Sequence, residues 1–282
     1  SHVTTARTRA LSDAMRNRRI GSRSRHTPCS VNAMRTILVL GALAGAVSLP
    51  AQTAPSLTAV RFGSLVDGTG RVVRDAVVVT NADTIVSVGT GASAVPRRAR
   101  VIDLRRYTGI PGMIDAHTHL TYYWDGAAGS DPWQQSGRRR SQVTVFLAQA
   151  NARRTLESGV TTIRDLGASD YSDLAMRDLI NRGAMVGPRV FAAGYGLRRA
   201  PATTQPNAPP GPPRGRLTGV DDVAAAVKAQ VDAGADVIKV YGSTGSGADV
   251  TGRETLTYDE MKAIVDAAHA AGKRVAIHSY GP

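Results

Sequence analysis

Gly109-Ile110-Pro111-Gly112-Met113-Ile114-Asp115-Ala116-His117-Thr118-His119-Leu120 is the stretch on which the reading of this chain turns. It has the form of a short buried strand that ends in two histidines at i, i+2. Side chains on a strand alternate between faces, so His117 and His119 are expected to point the same way, with Asp115 below them. Two imidazoles leaving one strand end together can take two positions around a divalent metal ion, at Zn–N distances of about 2.0–2.1 Å. The other ligands must then come from elsewhere in the chain.

Working outward, the rhythm from Ile110 onward is strand, loop, helix, strand. Strands are predicted at Gly112–His119, Thr161–Leu166, Arg189–Ala193, Asp236–Tyr241 and Arg274–His278. Helical patterns fall near Val143–Glu157, Ser172–Asn181, Asp221–Ala233 and Tyr258–Ala271, each followed by a glycine suited to a C-terminal stop (159, 183, 234, 272). Such alternation predicts an α/β fold with a parallel sheet and right-handed crossovers, and loop chemistry at the strand C-terminal ends. The Pro- and Gly-rich segment 196–219 reads as one long loop on that functional face.

Upstream, residues 57–108 read as all-β. Short β-branched runs at Leu57–Phe62, Ala76–Thr80, Thr84–Val88 and Val101–Leu104 are separated by the turn signals Asp67-Gly68, Asn81-Ala82-Asp83 and Gly89-Thr90-Gly91. This predicts a small β-sandwich-like domain of hairpins, spanning about 53–109, ahead of the α/β part at 110–282.

Two more residues stand at matching strand ends. In Ala235-Asp236-Val237-Ile238-Lys239-Val240-Tyr241 a lysine sits near the end of an apolar strand, where a charged amine is costly to bury. Carbamylation would turn it into a carboxylate able to bridge two metal ions; the alternative is a lysine that snorkels to the strand end or pairs with an acid. Val275-Ala276-Ile277-His278 repeats the pattern with a histidine, which taken alone is as consistent with a structural role.

The order His-x-His on the first strand, Lys on the fourth and His on the fifth resembles the amidohydrolase superfamily, in its binuclear-metal branch. The flanking words match as well: Pro111–His119, Gly159-Val160-Thr161-Thr162-Ile163-Arg164-Asp165, Gly234–Lys239 and Val275–His278. The resemblance covers about residues 57–282 and is nearest to imidazolonepropionase-like and Xaa-Pro dipeptidase-like members. It implies a TIM (β/α)8-type barrel, with its first five βα units present, beside a small β-sandwich. It also implies two divalent metal ions, zinc in the first instance, with His117 and His119 on the more buried ion, carboxylated Lys239 bridging and His278 on the second. The implied reaction is hydrolysis of an amide, peptide or cyclic amide C–N bond by a metal-bridging hydroxide. The family's histidine on strand six and its general-base aspartate on strand eight have no counterpart before Gly281-Pro282, so the catalytic base is unassigned and the chain is expected to be C-terminally truncated and inactive by itself.

Around the ligands, Tyr241 shares the face of Lys239 and Tyr280 follows His278; both are candidates for substrate contact, with packing as the other role. Asp115 is expected to hold a ligand or a neighbouring strand. Arg164 and Asp165 are expected to tie strand two to its neighbours rather than to do chemistry. Metallo-β-lactamases continue the histidine pair as Asp-His, whereas Leu120-Thr121-Tyr122 follow here. Gly242-Ser243-Thr244-Gly245-Ser246-Gly247 lacks the Lys-Ser/Thr of a P-loop and reads as a loop on the active face.

Composition narrows the classes. The single cysteine, Cys29, leaves no disulfide or thiolate metal site in the body. The net charge of +13 is concentrated at the N-terminus, where residues 1–35 hold eight Arg and one Asp without interleaved aromatics for base stacking. That distribution argues against a nucleic-acid partner. Met34-Arg35-Thr36, the 13-residue apolar run Ile37–Leu49 and Pro50-Ala51-Gln52 have the form of a secretory signal peptide, too short for a membrane span of about 20 residues. Residues 1–33 are then a non-native or mis-assigned leader, and the mature protein is expected to begin near Gln52 and to be exported to the periplasm or beyond. The expected partner is a small-molecule or dipeptide substrate, with no stable membrane anchor and room for a homo-oligomer. A competing class is a non-catalytic, dihydropyrimidinase-like scaffold, against which the retained His117, His119, Lys239 and His278 speak.

Overall fold

β-Branched residues recur through residues 57–109, and they form strands where one face can be covered. In a computed structural model, residues 57–132, 135, 139–200, 215–245 and 250–280 are described, all within the unit Ala54–Pro282. The expected leader, the signal peptide and Cys29 lie outside the described residues.

Strands β1 (Leu57–Val66), β2 (Val72–Asn81), β3 (Thr84–Thr90) and β4 (Arg100–Gly109) make one sheet in the order β3-β2-β1-β4. The β1–β2 turn is set by Asp67, whose Oδ1 accepts the Thr69 N–H at 2.9 Å and the Arg71 N–H at 3.1 Å. Ala59, Val77 and Val79 are buried on one face, with Leu57, Ala94, Val95 and Ala99 packed against them. Two features depart from the expectation. β4 pairs with β1 in parallel, so the segment is not built of hairpins alone. The strands also run past their apolar cores, β4 continuing through Arg105 and Arg106, because its outward residues face solvent and Arg105 is neutralised locally by Asp103 at 2.6 Å.

The second part alternates as predicted, almost to the residue. It runs β5 (Met113–Thr118), α1 (Ser141–Glu157), β6 (Val160–Asp165), α2 (Ser172–Asn181), β7 (Arg189–Ala192), short strands β8 (Arg198–Arg199) and β9 (Arg216–Leu217), α3 (Val223–Asp232), β10 (Val237–Tyr241), α4 (Tyr258–Ala270) and β11 (Arg274–His278). β5, β6 and β7 are parallel neighbours, as are β10 and β11. The two groups meet where the Asp236 N–H donates to the Ala192 carbonyl at 2.8 Å and Leu197 bridges to Val240. The result is a TIM-barrel-like α/β arrangement.

Alternation along each strand separates two faces. Outward residues Ile163, Val190 and Ala192 pack with Ala148 and Ala152 of α1 and Leu174 and Met176 of α2. Ile238 and Val240 pack with Val223, Val227, Ile264 and Ala268 of α3 and α4. Burying each such aliphatic side chain contributes about 1.5–3 kcal/mol, which fixes the register of the strands against their helices. On the other face lie Leu166, Ala193, Val237 and Ala276, and on that face the chemistry-bearing residues gather.

One base of the long 196–219 loop is fastened to this frame. β8 and β9 pair in parallel, and Arg199 forms an ion pair with the buried Glu260. Glu260 also closes the capping box of α4, its Oε2 accepting the Thr257 N–H at 2.8 Å while Thr257 Oγ1 accepts the Glu260 N–H at 3.3 Å. Residues 201–214 of that loop lie outside the described residues.

Candidate metal centre

β5 does not deliver its histidines by simple alternation. Asp115 pairs with Ile163 and Thr118 with Asp165, so three steps on β5 span two on β6 and one extra residue bulges the strand between them. The strand ends at Thr118, and His119 lies one residue beyond it in a turn, its carbonyl accepting the Tyr122 N–H at 3.0 Å. Asp115 acts on the backbone of a candidate ligand: its carboxylate accepts the His117 backbone N–H at 3.0 Å and shapes the chain locally. The two imidazoles still come together, with ring centroids 5.5 Å apart.

His119 is held on two sides. Its ring stacks on Tyr122 at 4.3 Å, and Nδ1 lies 3.0 Å from the Gly167 carbonyl. A carbonyl only accepts, so Nδ1 carries the proton and Nε2 keeps its lone pair, the form a metal ligand needs. Burial lowers His119 to about 4, and the charges of His117, Lys239 and His278 act in the same direction against the Gly167 hydrogen bond. His117 is lowered by burial and by Lys239, Arg164 and His278. The four predicted ligands thus share one electrostatic field.

Lys239 is 1% exposed on β10, and among the described residues its amine has no acidic partner. Burial, then the charge of Arg164, lowers it to about 8. Its one described contact is the face of Tyr241, 5.2 Å from the ring centroid. Of the alternative roles, pairing with an acid is not met among the described residues. Gly196 makes the crowding possible, since a Cβ there would meet the Tyr241 ring at 2.4 Å and the Lys239 Cγ at 3.1 Å.

His278 stands opposite Tyr241 in the β10–β11 register, on the face of Lys239. Its ring lies 5.6 Å from that of Tyr241 and 4.9 Å from that of Tyr280, and Nε2 is 3.2 Å from the Gly245 carbonyl. The Tyr280 N–H donates to Ser243 Oγ at 2.7 Å, placing its ring at the mouth of the strands. Arg164 Nε donates to the Ala116 carbonyl at 2.7 Å, so it ties β6 to β5 as the sequence suggested.

Among the described residues no group of three or more His, Cys, Asp and Glu is arranged to hold a metal ion. The donor set here is of another kind: an imidazole pair, a third imidazole and a buried, acid-free amine. Its chemistry fits a divalent ion once the amine is converted to a carboxylate, because a neutral Nε2 is already presented by His119 and Lys239 has no acidic partner among the described residues.

Three residues were not legible beforehand. Tyr122 follows the histidine pair in a stretch that looked like loop, yet it stacks on His119 and hydrogen-bonds the Tyr241 hydroxyl; burial raises it well above the usual tyrosine range. Arg198 sits 4.8 Å over the Tyr241 ring, the same ring that the Lys239 amine faces, and comes from a segment with no motif. Asp165, expected only to tie strands, accepts the Leu120 N–H beside His119 at 2.7 Å.

Comparison with known proteins agrees with this geometry. Residues 108–282 match the Amidohydrolase family. Ochratoxinase from Aspergillus niger is 27% identical over 284 residues, covering 91% of this chain and 55% of that protein. Imidazolonepropionase from Xanthomonas campestris pv. campestris is 32% identical over 130 residues, 44% of this chain and 30% of that one. Among solved structures, that of a Xaa-Pro dipeptidase with bound methionine in the active site superposes with a TM-score of 0.68 at 30% identity, over 80% of this chain and 57% of that one. The chain spans about half the length of the ochratoxinases it matches. On the match of residues 108–282, and with the histidine pair, the buried lysine and the strand order all in place, the chain belongs to the amidohydrolase family.

Proposed function

We propose that this chain carries one side of a binuclear metal-dependent hydrolase centre that cleaves amide, peptide or cyclic amide C–N bonds. Members of the family generally use divalent metal ions. His117 and His119 would hold one ion, His278 the other, and Lys239, as its carboxylated form, would bridge them; zinc suits this nitrogen and oxygen donor set. The carrying observation is Lys239, a lysine only 1% exposed with no acid to neutralise it among the described residues. Burial raises the fraction of neutral amine, whose lone pair adds to CO2 with loss of one proton, giving the carboxylate that the site lacks. When bound, the ions lower the pKa of water and polarise the scissile carbonyl.

The chain's own side chains then position the substrate. Tyr241 and Tyr280 frame the mouth beside His278, and Arg198, stacked on Tyr241, offers a guanidinium to a carboxylate on the substrate. Dipeptides and N-acyl amino acids carry such a carboxylate, and the first class is in line with the name of the Xaa-Pro dipeptidase neighbour. The sheet β3-β2-β1-β4 is read as one layer of the β-sandwich that accompanies the barrel, and the apolar run Ile37–Leu49 as an export signal directing the protein to the periplasm or beyond.

The test is metal content and hydrolysis together. The purified full-length protein, of which this chain carries one side of the site, is expected to hold about two ions per chain by plasma mass spectrometry. Lys239→Ala should lose the bridged pair and any dipeptide or N-acyl amino acid hydrolysis with it. Full metal occupancy and unchanged turnover in Lys239→Ala would refute the assignment.

A further inference from the structure

The end of β6 holds a carboxylate that the proposed chemistry does not use. Asp165 is 0% exposed, yet no arginine or lysine pairs with it among the described residues. Its oxygens are divided between two backbone donors: Oδ2 accepts the Leu120 N–H at 2.7 Å, and Oδ1 the Gly167 N–H at 3.3 Å. These two donors bracket His119. Leu120 is the next residue in the chain, and the Gly167 carbonyl is the group 3.0 Å from His119 Nδ1.

Burying a carboxylate without a counter-charge is unfavourable, and here a second one lies nearby. Asp173 is also 0% exposed, and its oxygens serve the Leu174, Ala193 and Gly194 N–H groups. If joining β5 to β6 were the only need, the backbone ladder and the Arg164 bond to Ala116 already supply it. What Asp165 adds is an acceptor on each of two separate oxygens, which no neutral side chain of its size provides. Gly167 completes the device: its φ of +126° is open to glycine and lets its N–H reach Asp165 while its carbonyl reaches His119.

We propose that Asp165 is a positioning residue that sets the ring orientation and tautomer of His119, clamping Leu120 on one side and Gly167 on the other so that Nε2 is the free donor atom. The inference rests on reading His119 as a metal ligand, but the tautomer it predicts belongs to the protein alone.

Two-bond 1H–15N correlation spectra of the metal-free full chain, labelled at histidine and assigned with His119→Gln, read that tautomer directly. The wild type is expected to carry its proton on Nδ1. In Asp165→Asn, whose amide can accept from only one of the two donors while adding its own N–H groups, the Nε2-protonated form should appear. Affinity for Zn2+ or Co2+, measured by competition with a chromogenic chelator, should fall about 10–100-fold in the same variant. A wild-type His119 protonated on Nε2 overturns the proposal whether or not the variant folds. So does a folded Asp165→Asn with wild-type tautomer and wild-type metal affinity. Should the wild type bind no metal while the tautomer still responds to Asp165→Asn, the metal reading fails and the positioning role stands.

Discussion

The β5–β6 side of the site and the β10–β11 side present their nitrogen ligands through opposite means. His119 is fixed by polar contacts at every level: its Nδ1 to Gly167, and Gly167 and Leu120 to the two oxygens of Asp165. Lys239 is fixed by enclosure, on a strand whose neighbours Ile238 and Val240 are held by α3 and α4, with the Tyr241 ring facing its amine. The first arrangement satisfies its buried groups and defines a direction for a lone pair. The second leaves an amine without an acid beside it among the described residues, and burial holds it toward its neutral, nucleophilic form. A centre that needs both an oriented imidazole and a modifiable amine uses each where it works, since orientation comes from hydrogen bonds and reactivity from the lack of a counter-charge.

The contrast predicts opposite signs for replacing the two groups by apolar ones. Asp165→Leu leaves the buried Leu120 and Gly167 N–H groups without acceptors, at a cost of about 1–3 kcal/mol for each donor. This is the largest change expected, and urea unfolding of the metal-free protein measures it. An unchanged midpoint would mean that water or another acceptor serves those donors. Lys239→Met, next in size, removes an amine that lies on a 1%-exposed residue with no acidic partner among the described residues, and should raise the stability of the metal-free protein by about 1–3 kcal/mol. A loss of stability in that variant would break the comparison, because it would show that the amine is satisfied in the folded chain.

The same contrast explains what could be read from the amino-acid sequence. Lys239 and His278 are legible as residues near the ends of apolar runs, and those runs are the strands observed, while His117 and His119 are legible as a pair at the end of a run that forms β5. Gly159, Gly183, Gly234 and Gly272 end their helices with φ between +70° and +92°, so the helix stops were legible as well. Asp165 was seen only as a strand tie, since its partners are backbone groups 45 residues and two residues away and nothing in side-chain spacing records a backbone N–H. The bulge that carries His119 past the strand end was equally silent, as no glycine marks it. Tyr122 and Arg198 reach the site from turns and a loop, where position depends on tertiary contacts rather than periodicity. The parallel pairing of β4 with β1 was missed for a related reason: alternation identifies a strand, but its partner and direction depend on the path of the connection.

The smallest effect tests how far the β10–β11 side stands apart from the other. The capping box of α4 links Thr257 to Glu260, and Glu260 pairs with Arg199, the neighbour of Arg198 on β8. Thr257→Ala removes the side-chain acceptor for the Glu260 N–H and should cost about 1 kcal/mol in unfolding experiments. Because Arg199 and Glu260 retain each other, the loss should be confined to the α4 end, with faster amide hydrogen exchange at residues 257–261 and at Arg199. The His119 ring, whose restraints all lie on β5, β6 and the turns after them, should keep its Nδ1 proton and its chemical shifts. A shift at His119 in Thr257→Ala would show that the two sides are coupled through the strap at β8 and β9, and that the amine and the imidazole are positioned as one unit.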